Sequence, residues 1–176
     1  MIMEKIEIPS GTQVSVDNEH IVIKGKLGST KKKFNRKFAG AKVEGNTLVI
    51  EGSKIKSMQR RASTAEYALA NVVKDAIEAV NDGIEEHMKI VYAHFPMSVE
   101  IKGKEISIKN IFGEKVARKT HIVGETKVEI KGQDVTVKGI DRYDVGQTIA
   151  NIRKACAARG NDTRVFQDGI YTVIEE

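Results

Sequence analysis

Aliphatic and polar residues alternate in four short stretches, and each stretch turns back on itself. Val14-x-Val16 passes through Asp17-Asn18-Glu19 to Ile21-x-Ile23, and Val43 passes through Glu44-Gly45-Asn46 to Leu48-x-Ile50. Val99-x-Ile101 passes through Lys102-Gly103-Lys104-Glu105 to Ile106-x-Ile108, and Val128-x-Ile130 through Lys131-Gly132-Gln133-Asp134 to Val135-x-Val137. A period of two puts the aliphatic set on one face and the polar set on the other, the mark of antiparallel strands with one wet side. Gly, Asn and Asp at the reversals supply the positive φ that hairpin turns need. Four hairpins are predicted.

After each pair of hairpins the period changes to that of a helix. Ser63-Thr64-Ala65-Glu66 reads as a capping box, with Ser63 as N-cap. Ala65, Ala68, Leu69, Val72, Val73, Ala76, Ile77 and Val80 follow as the apolar stripe, and Asn81-Asp82-Gly83 ends it. In the second half, Asp144 is read as the cap answered by Gln147. Val145, Ile149, Ile152 and Cys156 form the stripe, and Gly160 stands as the terminating glycine. The two helices share text (L-A-N-V at residues 69–72, I-A-N-I at 149–152), as do Ile8-Pro9 and Phe95-Pro96. The expected architecture is α+β, two tandem duplicated domains (1–82 and 83–176), each a small antiparallel sheet with one helix packed on one face. M-K-I-V-Y (residues 88–92) and residues 170–174 read as added strands, and R-V-F-Q-D-G-I-Y (residues 164–171) as a closing hairpin about its Asp-Gly pair.

Composition narrows the function. Of 176 residues 40% are hydrophobic and 30% charged, enough apolar material for a core and too much for a disordered chain. Aromatics at 5%, with no Trp, argue against a platform that stacks single-stranded bases. A single Cys excludes a disulfide framework and fits a reducing compartment. No stretch approaches the ~20 apolar residues of a membrane span. Glu4 falls where a signal peptide is basic, so a cytoplasmic protein is expected.

No catalytic constellation emerges. Cys156 lies on the apolar stripe of the second helix, the setting of a buried, inert thiol. His20, His87, His94 and His121 lack metal-ligand spacing, and His94 beside Phe95-Pro96 suits a structural hydrogen bond. Gly25-Lys26-Leu27-Gly28-Ser29-Thr30 lacks the spacing of a phosphate loop. No catalytic residue, metal or cofactor is expected. Charge says more, with 29 Lys and Arg against 24 Asp and Glu, unevenly spread. Between Glu19 and Glu44 stand Lys24, Lys26, Lys31, Lys32, Lys33, Arg36, Lys37 and Lys42 with no acid among them. Between Glu51 and Glu66 stand Lys54, Lys56, Arg60 and Arg61. Lys115, Arg118 and Lys119 cluster between hairpins, and Arg153, Lys154, Arg159 and Arg164 follow on the second helix and beyond it. Such fields attract polyanions. No helix-turn-helix, basic zipper, zinc finger or aromatic RNA-reading strand is present in the text. A folded RNA, held by shape and backbone, is the expected partner.

Y-A-H-F-P (residues 92–96), I-F-G-E-K (111–115), D-V-G-Q-T-I-A-N-I (144–152) and R-V-F-Q-D-G-I-Y (164–171), in that order, resemble the archaeal form of the ribosomal protein "L-six" family of the large subunit. The resemblance runs over essentially the whole chain. It implies a structural constituent of the large subunit that binds rRNA near the stalk base and sarcin–ricin loop, where translational GTPases dock. The second domain is then the main rRNA-binding half, and the first reaches outward towards the stalk. Carried onto this chain, the implied rRNA-binding residues are Lys109, Asn110, Lys115, Arg118, Lys119, Gln147, Asn151, Lys154, Arg164 and Gln167. The implied partners are large-subunit rRNA, neighbouring stalk-base proteins and nearby translation factors, with the chain a monomer within the ribosome and no membrane involved. Thr163 departs from the family, which commonly has Pro before the R-V-F-Q-D-G segment.

The competing class is a protein-interaction module whose basic faces serve solubility. Salt separates the two: binding dominated by phosphates weakens steeply with salt, and a protein interface responds weakly.

Overall fold

The computed structural model describes residues 3–52, 59–93, 95–160 and 162–173. The chain divides into two compact units, Met1–Gly83 and Ile84–Glu176.

In the first unit the strands are β1 (Met3–Glu7), β2 (Gln13–Val16), β3 (His20–Lys24), β4 (Ser29–Lys33), β5 (Ala39–Glu44) and β6 (Thr47–Gly52), followed by helix α1 (Gln59–Asp82). They form two antiparallel sheets in the orders β1-β6-β5 and β2-β3-β4. The second unit holds β7 (Ile84–Val91), β8 (Ser98–Lys102), β9 (Glu105–Lys109), a short 3-10 turn (Ile111–Gly113), β10 (Arg118–His121), β11 (Lys127–Lys131), β12 (Asp134–Gly139), helix α2 (Arg142–Cys156) and β13 (Gly169–Thr172). Its sheets run β8-β9-β10 and β11-β12-β7-β13. Strand for strand this repeats the first unit, with β13 added along the free edge of β7.

Each unit therefore carries two small sheets where one was expected, and its helix packs against both. The strands that sequence missed are β1, β4 and β10. The inward residues of β4 and β10 include the buried Thr30 and Thr120, and their other positions are mostly Lys or Arg. Threonine suits a strand but reads as polar, so no aliphatic alternation marks either segment. The four expected hairpins all form, with Ile21, Ile23, Ile106 and Ile108 essentially sealed from solvent. Burying each such side chain contributes roughly 1.5–3 kcal/mol.

The helix starts are corrected. α1 already runs at Gln59, so Ser63 is an interior residue and not an N-cap, and Glu66 is buried on the packing face. Ala62 at 2% exposure extends that face a full turn upstream, and Thr64 Oγ1 donates back to the Arg60 carbonyl. In α2 the cap is Asp141, not Asp144: its Oδ1 accepts from the Tyr143 amide at 2.9 Å. Asp144 sits in the first turn, where a carboxylate suits the helix dipole. Gln147 donates to Asn151 Oδ1 at 3.0 Å, so it answers no cap. α2 ends through extended Ala157, and Gly160, with φ +78, lies beyond it in the following loop. Gly83, with φ +79, does close α1, its amide donating to the Ala79 carbonyl.

Residues 164–171 do not form a hairpin. Residues 162–168 are a loop, and Gly169 opens β13, whose Ile170 pairs with Ile90 of β7. The expected strand at residues 88–92 is part of the longer β7, which buries Met88 and Ile90 at the centre of its sheet. His94, Lys54 and Lys56 lie outside the described residues.

Candidate nucleic-acid interface

The 3-10 turn after β9 is the most unusual backbone in the second unit. Asn110 (φ +60), Phe112 (φ +50) and Gly113 (φ +75) are all left-handed. Asn and Gly accept this region readily; a bulky Phe does so at a cost of order 1 kcal/mol. Five contacts hold the turn. Ile111 is fully buried beneath it, Asn110 Nδ2 donates to the Pro96 carbonyl at 3.0 Å, and the Glu114 amide donates to the Ile111 carbonyl at 2.9 Å. The Phe112 ring meets Phe166 edge to face at 6.1 Å, and the Arg118 guanidinium lies 5.6 Å from its centroid. A Cβ on Gly113 would stand 3.3 Å from Phe95 Cε2.

Arg118 is spent within the protein. Its Nε and Nη2 fork onto the Glu114 carboxylate, and Nη1 donates to the carbonyls of Ala155 and Ala157 at 2.9 and 2.7 Å. One planar cation thus joins the turn, β10 and the carbonyl end of α2, where positive charge is favourable. The hydrogen bond from Arg118 holds the Glu114 carboxyl below its usual range, and the same contact raises the guanidinium. Side chains alternate along a strand, so Lys119 points the other way, onto the exposed face of its sheet.

Acids balance most of the charge on that exposed face, which carries Lys102, Lys109 and Lys119 against Glu100 and Glu105. Lys109 pairs with Glu100 at 2.6 Å and Lys119 with Glu105 at 2.9 Å, and each lysine's hydrogen bond lowers its carboxyl partner. The equivalent face in the first unit is different. By register Lys24, Lys31, Lys33 and His20 share it with Gln13, Ser15, Val22 and Ser29, with no acid on those three strands. Glu19, in the turn before β3, reaches Lys33 at 3.6 Å.

The remaining expected residues divide into two groups. Gln147 and Asn151 bond each other along α2, and Asn151 Nδ2 donates to the His121 carbonyl at 3.2 Å, tying the helix to the end of β10. Lys115, Lys154, Arg164 and Gln167 are exposed. Arg164, with its side chain 90% exposed, contacts Asp162 Oδ1 at 3.3 Å, and its amide donates to the same oxygen at 2.9 Å. Gln167 Nε2 donates to the Arg164 carbonyl, and Tyr171 Oη donates to the Gln167 carbonyl, so the 162–168 loop is braced internally. The structure gathers Asn110, Arg118 and the 164–167 loop about the turn, and sets Lys119 on another face. Sequence reasoning missed Phe95, Phe112 and Phe166. The signal was the Phe-Gly pair at 112–113, an aromatic beside a residue suited to positive φ.

Cys156 is buried, and burial pushes its thiol up to about 11. Among the described residues no three His, Cys, Asp or Glu are placed to hold a metal, and no helix is long and apolar enough to cross a membrane.

Known proteins are similar to this sequence. The sequence model described as Ribosomal protein L6 matches residues 95–169, which span the turn, α2 and the 162–168 loop. The large ribosomal subunit protein uL6 of Methanocella arvoryzae is 41% identical over 170 residues, covering 96% of this chain and 94% of its own. Those of Methanobrevibacter smithii and Thermoplasma acidophilum are 40% and 39% identical, over 99% and 96% of this chain and 97% and 93% of theirs.

Proposed function

Since the chain belongs to the ribosomal protein L6 family, we propose that it is a structural, non-catalytic constituent of the large ribosomal subunit in the cytoplasm, bound to rRNA near the stalk base and sarcin–ricin loop. The second unit is its main rRNA-binding half. Its braced turn and 162–168 loop present Lys115 and Arg164 to phosphates, while Arg118 keeps that surface rigid. The first unit reaches outward towards stalk-base proteins and the translation factors that dock nearby. Its acid-free sheet face adds long-range attraction to the RNA. One observation carries the reading: an ordered surface with exposed cations, in the segment that the family shares.

A chemical footprint of the full chain on deproteinised large-subunit rRNA, over a salt series, tests it. Protection confined to the stalk-base and sarcin–ricin region, weakening steeply with salt, is the expected result. Absent protection, or binding indifferent to salt, would sink it in favour of a protein-interaction module.

A further inference from the structure

The chain has five phenylalanines, and three of them meet at one turn: Phe166 stands edge to face on Phe112, and Phe95 lies against Gly113. A low aromatic count argues against base stacking only if the aromatics are scattered, and here the fold collects them. Phe95 and Phe166 are 46% and 45% exposed, and Val165, next to Phe166, is 70% exposed. Rings left half out of water on a rigid, hydrogen-bonded surface mark a contact site.

The backbone is shaped to hold this arrangement. Phe112 keeps a left-handed φ that a bulky side chain avoids, and such conformations persist where the surroundings impose them, often at sites of function. Arg118 lies over the Phe112 ring, and Phe166 meets the same ring at a steep angle. The charges around the rings identify the occupant. Lys115 lies three residues from Phe112, Arg164 two residues from Phe166, and Arg159 acts on Glu114 beside them. Cations near half-exposed aromatic residues fit a polyanion that carries flat apolar groups, which is a nucleic acid with a base out of its stack.

Resting on the rRNA-binding reading above, we propose that Phe95 and Phe166 form a stacking surface for one unstacked nucleotide of folded RNA. Phe112 is the positioning residue, and Lys115 and Arg164 contact the flanking phosphates. Stacking releases no counterions, so it adds affinity without adding salt dependence.

The chain has no Trp, so Phe166→Trp installs a single reporter at the surface. Titrating this full-length variant with deproteinised large-subunit rRNA should quench its emission as a base stacks on the indole, and Tyr67→Trp on α1 should stay bright. Phe166→Leu should weaken binding about tenfold with the salt slope unchanged, the scale of one lost stacked base. Phe95→Leu should do the same should Phe166→Leu lower the melting temperature. Unquenched emission from a Phe166→Trp chain that still binds, or wild-type affinity in folded Leu variants, would overturn the stacking proposal alone. Failure of the wild-type chain to bind would overturn the rRNA reading and this proposal with it.

Discussion

The Arg118 guanidinium lies over the Phe112 ring while the same cation forks onto Glu114, so one side chain fixes both the aromatic ring and the end of the left-handed turn that carries it. Its other nitrogen reaches the carbonyls that terminate α2. The turn, β10 and the helix end are consequently one mechanical unit, and changes to it should be felt in stability first and in RNA binding second.

Arg118→Lys keeps the charge and loses the planar fork, because an ammonium cannot bond a carboxylate and two helix carbonyls in that geometry. The expected cost is about 2 kcal/mol, from hydrogen bonds left unmade at a side chain only 19% exposed. Urea unfolding measures it. In Arg118→Gln, which removes the charge, the salt slope of rRNA binding should remain at the wild-type value, since the guanidinium is bonded within the protein; a slope reduced by about one would make it a phosphate ligand.

Acid should loosen the same region. Glu114 has its folded pKa depressed by the hydrogen bond from Arg118, so its contribution is present above the unfolded carboxylate pKa of about 4.3 and is lost as pH falls through the lower folded value. Glu100 and Glu105 are shifted in the same direction by Lys109 and Lys119, though exposed and open to screening by salt. Between pH 5 and pH 2 the urea midpoint of the wild type should fall more steeply than that of Glu114→Gln. Parallel curves would mean that the Glu114–Arg118 pair adds nothing measurable.

Two glycines in the second unit should respond oppositely to alanine. At Gly113, with φ +75 and Phe95 at 3.3 Å from the new Cβ, Ala should destabilise by about 1–2 kcal/mol. At Gly146, inside α2 with no atom within 4 Å of the new Cβ, Ala should stabilise by about 0.5–1 kcal/mol. Thermal melts of the two variants decide the matter, and equal shifts would contradict the positive-φ account.

Cys156 should behave as core. With its thiol pushed up to about 11 by burial, native alkylation at pH 8 should be at least about a hundredfold slower than in urea. A raised folded pKa also means stability that is complete below the unfolded value of about 8.5 and is lost as pH rises towards 11. Cys156→Ala should cost about 1 kcal/mol at neutral pH and remove that alkaline decline. Rapid labelling of the folded chain, or an alkaline melt unaffected by the substitution, would place the thiol elsewhere.

The hairpins were legible because alternation survives wherever aliphatic residues point inward, as at Ile21 and Ile23 or Ile106 and Ile108. β4 and β10 were not, because Thr30 and Thr120 do the inward packing beside Lys32 and Arg118. Helix starts slipped for a related reason. Ser63 and Asp144 have cap chemistry, but Ala62 carries the packing face past the first, and Asp141 is the residue whose carboxylate meets a free amide. At the candidate site the cations were visible and their commitments were not. Lys109, Arg118 and Lys119 look alike in sequence, yet each is tied to a glutamate that strand register or a turn brings near. The aromatic cluster was hidden because Phe95, Phe112 and Phe166 come from three separate segments that meet only in the folded unit.

On the proposed reading, the turn and loop of the second unit face large-subunit rRNA. Cys156 is buried, so an iron chelate on an engineered Val116→Cys or Lys31→Cys chain reports from one chosen point. Hydroxyl radicals released from position 116 should cut the rRNA strongly within the stalk-base and sarcin–ricin region, and those from position 31 weakly or elsewhere. Strong cutting of that region from position 31, with none from position 116, would put the first unit, and not the second, against that rRNA.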